Sequence, residues 1–435
     1  MKIKQLLIHF VLIFSTVGVC TAQTVPDTIK VMTYNVGDFG TSPTSSCPLF
    51  DFNLKSGYLR TILNYTKADI IGMVKMNAGY AFCTDTIMHY VLDSLCPGCW
   101  ENGVYSVTST YSKANMLYFN THKLGFISST IIYNADPNIS DIILHKLYYK
   151  APNLTETQDT VYLKVVLAHL KSGSGSSSDR ATELAGAMSW LNAHISSNEN
   201  IIFMGDLNTT KSDENCFQYL INSTNSNTKF YDPPNQLGNW SNSSNNYAYY
   251  LTQSTRTSDP GDCNAVGGIN DRFDHILLSS ALMNGTDSLL YISGSYKVIG
   301  QDGNHTGIAL TDAPTNTSVP ANVNTALYYF SEHLPVMLSL LINNAVNTGI
   351  ASLSNKASDI IIYPNPATSE IKISAASNNK IEGIKIFNMI GKEISFTAVN
   401  DIQSTISMNE FSRGIYFIQI IDENKNVLNK KIILQ

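Results

Sequence analysis

The sequence predicts a layered α/β domain followed by a small all-β domain. Two observations carry this. Short apolar runs alternate with helical periodicity up to about residue 344, and short alternating runs without helical pattern fill the last eighty residues. Polar or acidic residues stand at the ends of several early runs, as in layered α/β folds with a site along one sheet edge.

The 435 residues suggest about two to three domains at roughly 150 residues each. Hydrophobic residues make up 43% and aromatics 10%, enough to build a core. The only long apolar run is N-terminal, which excludes a polytopic membrane protein. Lys2 and Lys4, the apolar Leu6–Cys20 and the small residues around Ala22 read as a signal peptide over 1–22. Cys20 is also a candidate lipid-attachment residue. The mature chain keeps Cys47, Cys83, Cys96, Cys99, Cys216 and Cys263, an even count that favours disulfides outside the cytosol. The pairing is open from sequence. Cys96-Pro97-Gly98-Cys99 reads as structural rather than as a zinc or redox site, for no second pair has suitable spacing.

Strands are expected at Ile29–Val36, Ile70–Met76, Met116–Phe119, Tyr162–His169, Ile201–Gly205, Phe273–Leu278 and Val336–Leu341. Ser178–His194 reads as a helix, with Leu184, Met188 and Leu191 on one face, Ala181 and Ala185 beside them, and Ser176–Ser178 as N-cap. Asn222–Asn246 is rich in Asn and Ser and reads as a surface loop. The first domain is placed at 23–344, a linker at 345–358 and the second domain at 359–435. In the second, Ile371–Ile373, Ile384–Phe387 and Ile415–Ile421 read as strands.

The whole chain is net −6. Residues 353–435 are net +1 and the signal adds two lysines, so the first block holds −9. That excludes a broad basic footprint for gripping nucleic acid nonspecifically.

Five strand-end motifs carry the chemistry: Thr33-Tyr34-Asn35, His169 through Gly173, Gly205-Asp206-Leu207-Asn208, Arg272-Phe273-Asp274, and Glu332-His333-Leu334-Pro335. In this order they resemble the endonuclease/exonuclease/phosphatase superfamily, the fold of deoxyribonuclease, apurinic endonucleases and neutral sphingomyelinases. Asp232-Pro233, Thr252 through Arg256, Gly267 through Asp274 and Gln301-Asp302-Gly303 point to a secreted bacterial branch. The resemblance implies a four-layer α/β sandwich and hydrolysis of a phosphodiester or phosphomonoester in a nucleic acid, a lipid head group or a small molecule. It implies Mg²⁺ or Mn²⁺ as cofactor, with Asn35 and Glu332 on the metal side. Asp206 would orient or deprotonate water with help from Asn208. His333, oriented by Asp274, and His169 would contact phosphate. Lys171 and Arg180 would add positive charge at the mouth.

Two positions depart from the pattern. The family run ends in a metal-binding Glu, where this chain has Lys75 within Ala68–Met76. The residue before the last His is normally Asp and here is Glu332. A donor-only ammonium cannot ligate a cation, and Lys75 is expected to sit where the metal would, paired to Glu332. The readings this leaves are a metal-light hydrolase, a non-catalytic surface binding protein on the same scaffold, and a displaced metal on Asp38 or another carboxylate.

Tyr363-Pro364-Asn365-Pro366, Gly391-Lys392-Glu393 and Arg413-Gly414-Ile415-Tyr416-Phe417 resemble the C-terminal sorting domain of type IX secretion cargo. That resemblance implies the type IX machinery as partner, and a secreted or outer-surface bacterial protein with no stable membrane span.

Overall fold

The computed structural model describes residues 27–105, 112–134, 140–151, 160–241, 245–342, 360–375, 380–388, 392–423 and 427–435. The expected signal peptide and linker lie outside the described residues. The chain divides into two units, Met1–Asn343 and Asn344–Gln435.

Two sheets build the first unit. One runs in the order β11 (Leu289–Tyr291), β13 (Val336–Ile342), β1 (Thr28–Asn35), β2 (Ile70–Asn77), β4 (Lys113–Asn120), β3 (Trp100–Asn102), with β12 (Lys297–Val298) also on β13. The other runs β5 (Leu124–Tyr133), β6 (Ile142–Tyr149), β7 (Tyr162–His169), β8 (Ile201–Asp206), β10 (Asp274–Ser279), β9 (Phe230–Tyr231). Each sheet has a parallel pair at its centre, β1/β2 and β7/β8, flanked by antiparallel neighbours.

Alternation along the strands assigns the faces. Val165, Leu167, Ile202 and Met204 join the apolar layer between the sheets, while Val166, Ala168, Ile201 and Phe203 turn outward. The outward set is covered by α2 (Ser177–His194) through Leu184, Ala187, Met188 and Leu191, and by α3 (Asn215–Ile221). Across the first sheet, α1 (Phe52–Thr66) and α4 (Ala321–Phe330) pack together and bury Leu59, Ile62, Leu63, Leu327 and Phe330. The result is a four-layer helix–sheet–sheet–helix sandwich. The sheets approach so closely that a Cβ on Gly72 would come within 2.5 Å of Met204 Cε.

Three local expectations need correction. Ser176 caps α2 without a side-chain hydrogen bond. Ala185 is exposed and Ala187 takes its place on the buried face. The Asn222–Asn246 stretch is not simply a surface loop. Asp232 and Trp240 are buried, because Asp232 Oδ1 pairs at 2.6 Å with the buried Arg272, whose guanidinium packs on the Trp240 ring.

In the second unit, β14 (Ile360–Tyr363), β15 (Glu370–Ala375) and β18 (Gln403–Ser407) form one antiparallel sheet. β17 (Glu393–Asp401), β16 (Ile381–Phe387), β19 (Gly414–Asp422) and β20 (Val427–Leu434) form the other. Ile371, Ile373, Ile384, Ile386, Ile418 and Ile420 make its core.

Candidate active site

The topology explains why the polar strand ends meet. Asn35, His169 and Asp206 are the last residues of β1, β7 and β8, and Lys75 lies near the end of β2. Asp274 opens β10, and His333 stands three residues before β13. Both of those strands run antiparallel to their neighbours, so their beginnings lie on the same edge as the other strands' ends. Across the ladder His169 faces Asp206, and Asp206 faces Asp274.

Local backbone conformation aims these groups. A Cβ on Gly205 (φ +139°) would fall 1.8 Å from the Ala168 carbonyl oxygen, so only glycine admits the β7/β8 approach just before Asp206. A register break between Met73 and Met76 interrupts the β2/β4 ladder, and Lys75 inside it has φ +60°. Such a bulge redirects a side chain, and it turns Lys75 into the cleft. Asp38 and Asn208 also hold positive φ.

Two carboxylates opposite one another repel, and the site relieves this with donors. His333 Nδ1 donates to Asp274 Oδ2 at 2.7 Å, and its Nε2 lies 3.8 Å from Asp206 Oδ2. Asn35 Nδ2 donates to Asp206 Oδ2 at 2.7 Å, with its own Oδ1 fixed by the Gly37 N–H. The Asn208 N–H donates to Asp206 Oδ1 at 2.9 Å. Burial opposes charge on His333, yet Asp274, Asp206 and Glu332 together raise its pKa to about 9. His169, with Nε2 3.7 Å from Asp206, is pushed down to about 4 by burial. His333 is thus a cation and His169 a neutral imidazole at pH 7.

Lys75 Nζ donates to Glu332 Oε1 at 2.7 Å and lies 3.8 Å from Asp38 Oδ2; Asp38 is also paired with Lys113 at 2.5 Å. Glu332 is fully buried. Burial alone would raise its carboxyl, but the Lys75 charge prevails and holds it down at about 2. Lys75, though buried, is raised above its ordinary value by Glu332 and Asp38.

The divalent ion that the sequence resemblance implies does not fit this arrangement. The oxygen of Glu332 that would face it is taken by an ammonium, and Asp38 is held by two lysines. Asp206, Asp274 and His333 also gather ligand atoms within 4.8 Å. There, however, the His333 nitrogen nearest Asp274 is spent as a hydrogen-bond donor to it.

Asn35, Lys75, His169, Asp206, Asn208, Glu332 and His333 all line one cleft of about 470 Å³, and Asp274 stands directly behind His333. Two expected residues are elsewhere. Arg180 is buried and gives Nη2 to Glu214 Oε2 at 2.6 Å and Nη1 to the carbonyls of Lys171 and Gly173. It braces the loop after β7 and adds no charge to the mouth. Lys171 is held through its backbone by Arg180 and by Glu183, and it does not line the cleft. Residues the sequence reading did not single out are Gln253, whose side-chain amide lies 2.8 Å from His333 Nε2, and Asp271. Their signal lay in the Thr252–Arg256 and Gly267–Asp274 motifs, quoted above only for the family likeness.

The six cysteines resolve into the pairs Cys47–Cys263 and Cys96–Cys99, with Cys83 and Cys216 free and buried.

Residues 361–435 match the family of secretion system C-terminal sorting domains. The second unit is therefore an export signal, and the chain is one that bacteria deliver to the outer cell surface. No helix among the described residues is long and apolar enough to cross a membrane. An endo-acting ulvan lyase of Formosa agariphila is 32% identical over 80 residues, 18% of this chain. The match spans only 15% of that enzyme's length.

Solved structures similar to this chain include D. rerio TDP2 complexed with single-strand DNA product (12% identity, 72% of this chain and 98% of that one, TM-score 0.46). They also include the human Nocturnin catalytic domain with bound sulfate (12%, 73% and 96%, TM-score 0.43). A third is an endonuclease/exonuclease/phosphatase family protein from Bacteroides thetaiotaomicron (12%, 74% and 97%, TM-score 0.44).

Proposed function

We propose that the first unit is a surface-delivered phosphate-ester hydrolase of endonuclease/exonuclease/phosphatase type, in which the Lys75 ammonium replaces the divalent cation. The observation that carries this is the 2.7 Å Lys75–Glu332 pair on the wall of the cleft that His333 and Asp206 share.

A phosphate ester entering the cleft meets two cations, Lys75 and His333. Both stabilise charge that builds on phosphoryl oxygens as water attacks. Asp274 holds the imidazolium in place through Nδ1, and Nε2 faces the cleft between the Gln253 and Asn35 side-chain amides, 2.8 and 3.2 Å away. Asp206, oriented by the Asn35 side chain and the Asn208 N–H, accepts the proton of the attacking water. His169, neutral and beside Asp206, offers a hydrogen bond to the ester. A single positive charge stabilises a transition state less than a divalent ion does, so turnover is slow and needs no metal.

The test is hydrolysis of bis-(p-nitrophenyl) phosphate and plasmid DNA by the purified chain with Mg²⁺, with Mn²⁺ and with chelator. Slow release, equal in all three, is the expected result; rapid release abolished by chelator refutes the reading. A second reading, a non-catalytic binder, draws on the same ion pair together with Asp206, both of whose oxygens already accept hydrogen bonds. It predicts phosphate binding with no release at all.

A further inference from the structure

Beside the two cations the cleft carries a second set of groups that the hydrolytic reading leaves unused. Gln253 pairs in antiparallel fashion with His333 on one side and with Asp271 on the other. The Gln253–Asp271 pairing is reciprocal, Gln253 N–H to Asp271 O at 3.1 Å and Asp271 N–H to Gln253 O at 3.0 Å. Residues paired across a ladder present their side chains to the same face. His333, Gln253 and Asp271 therefore form a row on the cleft wall, and all three line it. With about 5 Å per step, Asp271 stands about 10 Å of backbone from His333.

Asp271 is the conspicuous member of the row. Its Oδ1 is buried and has no hydrogen-bond partner among the described residues, while the carboxyl as a whole takes a hydrogen bond from Ser241. A buried acceptor left unmatched is costly and calls for a donor. Burial also raises its carboxyl above the ordinary value, against the opposing effects of Ser241 and His333. The lining also includes the hydroxyl-bearing Ser172, Ser174, Thr210 and Ser241, and among the described residues Lys75 is the only lysine or arginine that lines the cleft.

We infer that Asp271 and Gln253 form a subsite for the alcohol part of the substrate, and that this part is an uncharged polyol, the substrate being a phosphorylated sugar. This rests on the reading that Lys75 and His333 bind the phosphate. A carboxylate acceptor matches a sugar hydroxyl, and the Gln253 amide, 2.8 Å from His333 Nε2, joins that hydroxyl site to the phosphate site. The same carboxylate repels any second phosphate on the ligand, and among the described residues no lysine or arginine other than Lys75 lines the cleft to compensate. Polynucleotides are thereby disfavoured. An ammonium head group would satisfy the carboxylate too, but a single aromatic, Phe273, lines the cleft and makes no cage for it.

The experiment is calorimetric titration of the full mature chain with inorganic phosphate, glucose 6-phosphate, phosphocholine and a dinucleotide carrying two phosphates. Wild type, Asp271→Asn and Asp271→Ala are compared. The expected result is glucose 6-phosphate binding about tenfold tighter than inorganic phosphate, since one hydrogen bond to a charged group is worth about that much. Asp271→Ala should bring that ratio close to one. The near-isosteric Asp271→Asn should keep part of it while improving dinucleotide binding severalfold. If inorganic phosphate binds but the sugar ester gains nothing, the proposal falls and the phosphate reading stands. Preference for phosphocholine or for the dinucleotide in wild type also overturns the proposal. If inorganic phosphate does not bind, both fall.

Discussion

Replacing Lys75 by glutamate is the perturbation with the largest calculable consequence. In the wild type the ammonium lies 2.7 Å from Glu332 Oε1, and Glu332 is fully buried. A divalent cation about 4 Å from that ammonium would be repelled by about 8 kcal/mol at an effective dielectric of about 20, which forbids co-occupancy. Lys75→Glu removes the repulsion and places a second carboxylate against Glu332. Without metal the variant loses a buried ion pair, a cost of about 3–5 kcal/mol. The melting temperature in chelator should then fall by roughly 10 °C. Mg²⁺ should reverse this, since an ion at about a hundred times its dissociation constant restores about 2.7 kcal/mol. Thermal melts of both proteins against Mg²⁺ concentration make the comparison. The wild type should be indifferent to the ion and the variant stabilised. Metal-dependent hydrolysis should appear in Lys75→Glu and vanish when Asp206→Asn is added. A wild type stabilised by Mg²⁺ as much as the variant would refute the reasoning.

Three further outcomes follow from particular contacts. His145 and His275 are both held down at about 3, by burial and, for His275, also by Arg272. Each binds its proton in the unfolded chain below about 6.5 but not in the folded one, so stability falls with pH from about 6.5 towards 3. At pH 5 the loss is about 2 kcal/mol for each. His333 is raised instead; its contribution is complete below about 6.5 and lost as pH rises through about 9, so it does not offset the acid side. Urea unfolding at pH 7 and pH 5 measures the difference, and equal stability at the two would contradict it. Arg180→Met should destabilise by about 3 kcal/mol through the stranded Glu214 carboxylate, with a smaller effect on phosphate affinity; the reverse order would place Arg180 in the site after all. Cys47→Ser should cost about 2–4 kcal/mol if Cys47 and Cys263 are bonded, and mass spectrometry of the unreduced chain should show the bond directly.

The strands that bear the site were legible because β1, β2, β7, β8, β10 and β13 are mostly apolar and mostly buried, and each carries polar residues at or near the end that meets the cleft. The strands β5 and β6 were not. β5 is an edge strand with polar Ser128, Ser129 and Thr130 and two register shifts, so its alternation is broken. Helix α1 packs against α4 and buries Lys55, Ser56 and Thr66 among its apolar residues, which masks its period.

The site shows the same division. The identities of Asp206, Asp274 and His333 could be read from motifs. The bulge that aims Lys75 depends on how β2 pairs with β4, and no local pattern announces it. Arg180 and Asp232 misled for one reason. Each is buried by a partner distant in sequence, Glu214 and Arg272, which neither the placement of Arg180 at the mouth nor the reading of Asn222–Asn246 as a surface loop anticipated.

The central claim is that the Lys75 ammonium holds the place of a divalent cation. Anomalous diffraction from wild-type crystals soaked in Mn²⁺ tests it most directly. The account predicts no manganese peak among Asn35, Lys75 and Glu332, and a peak there in Lys75→Glu crystals treated identically. A manganese peak beside Glu332 in the wild type, with the Lys75 side chain turned away, would contradict it.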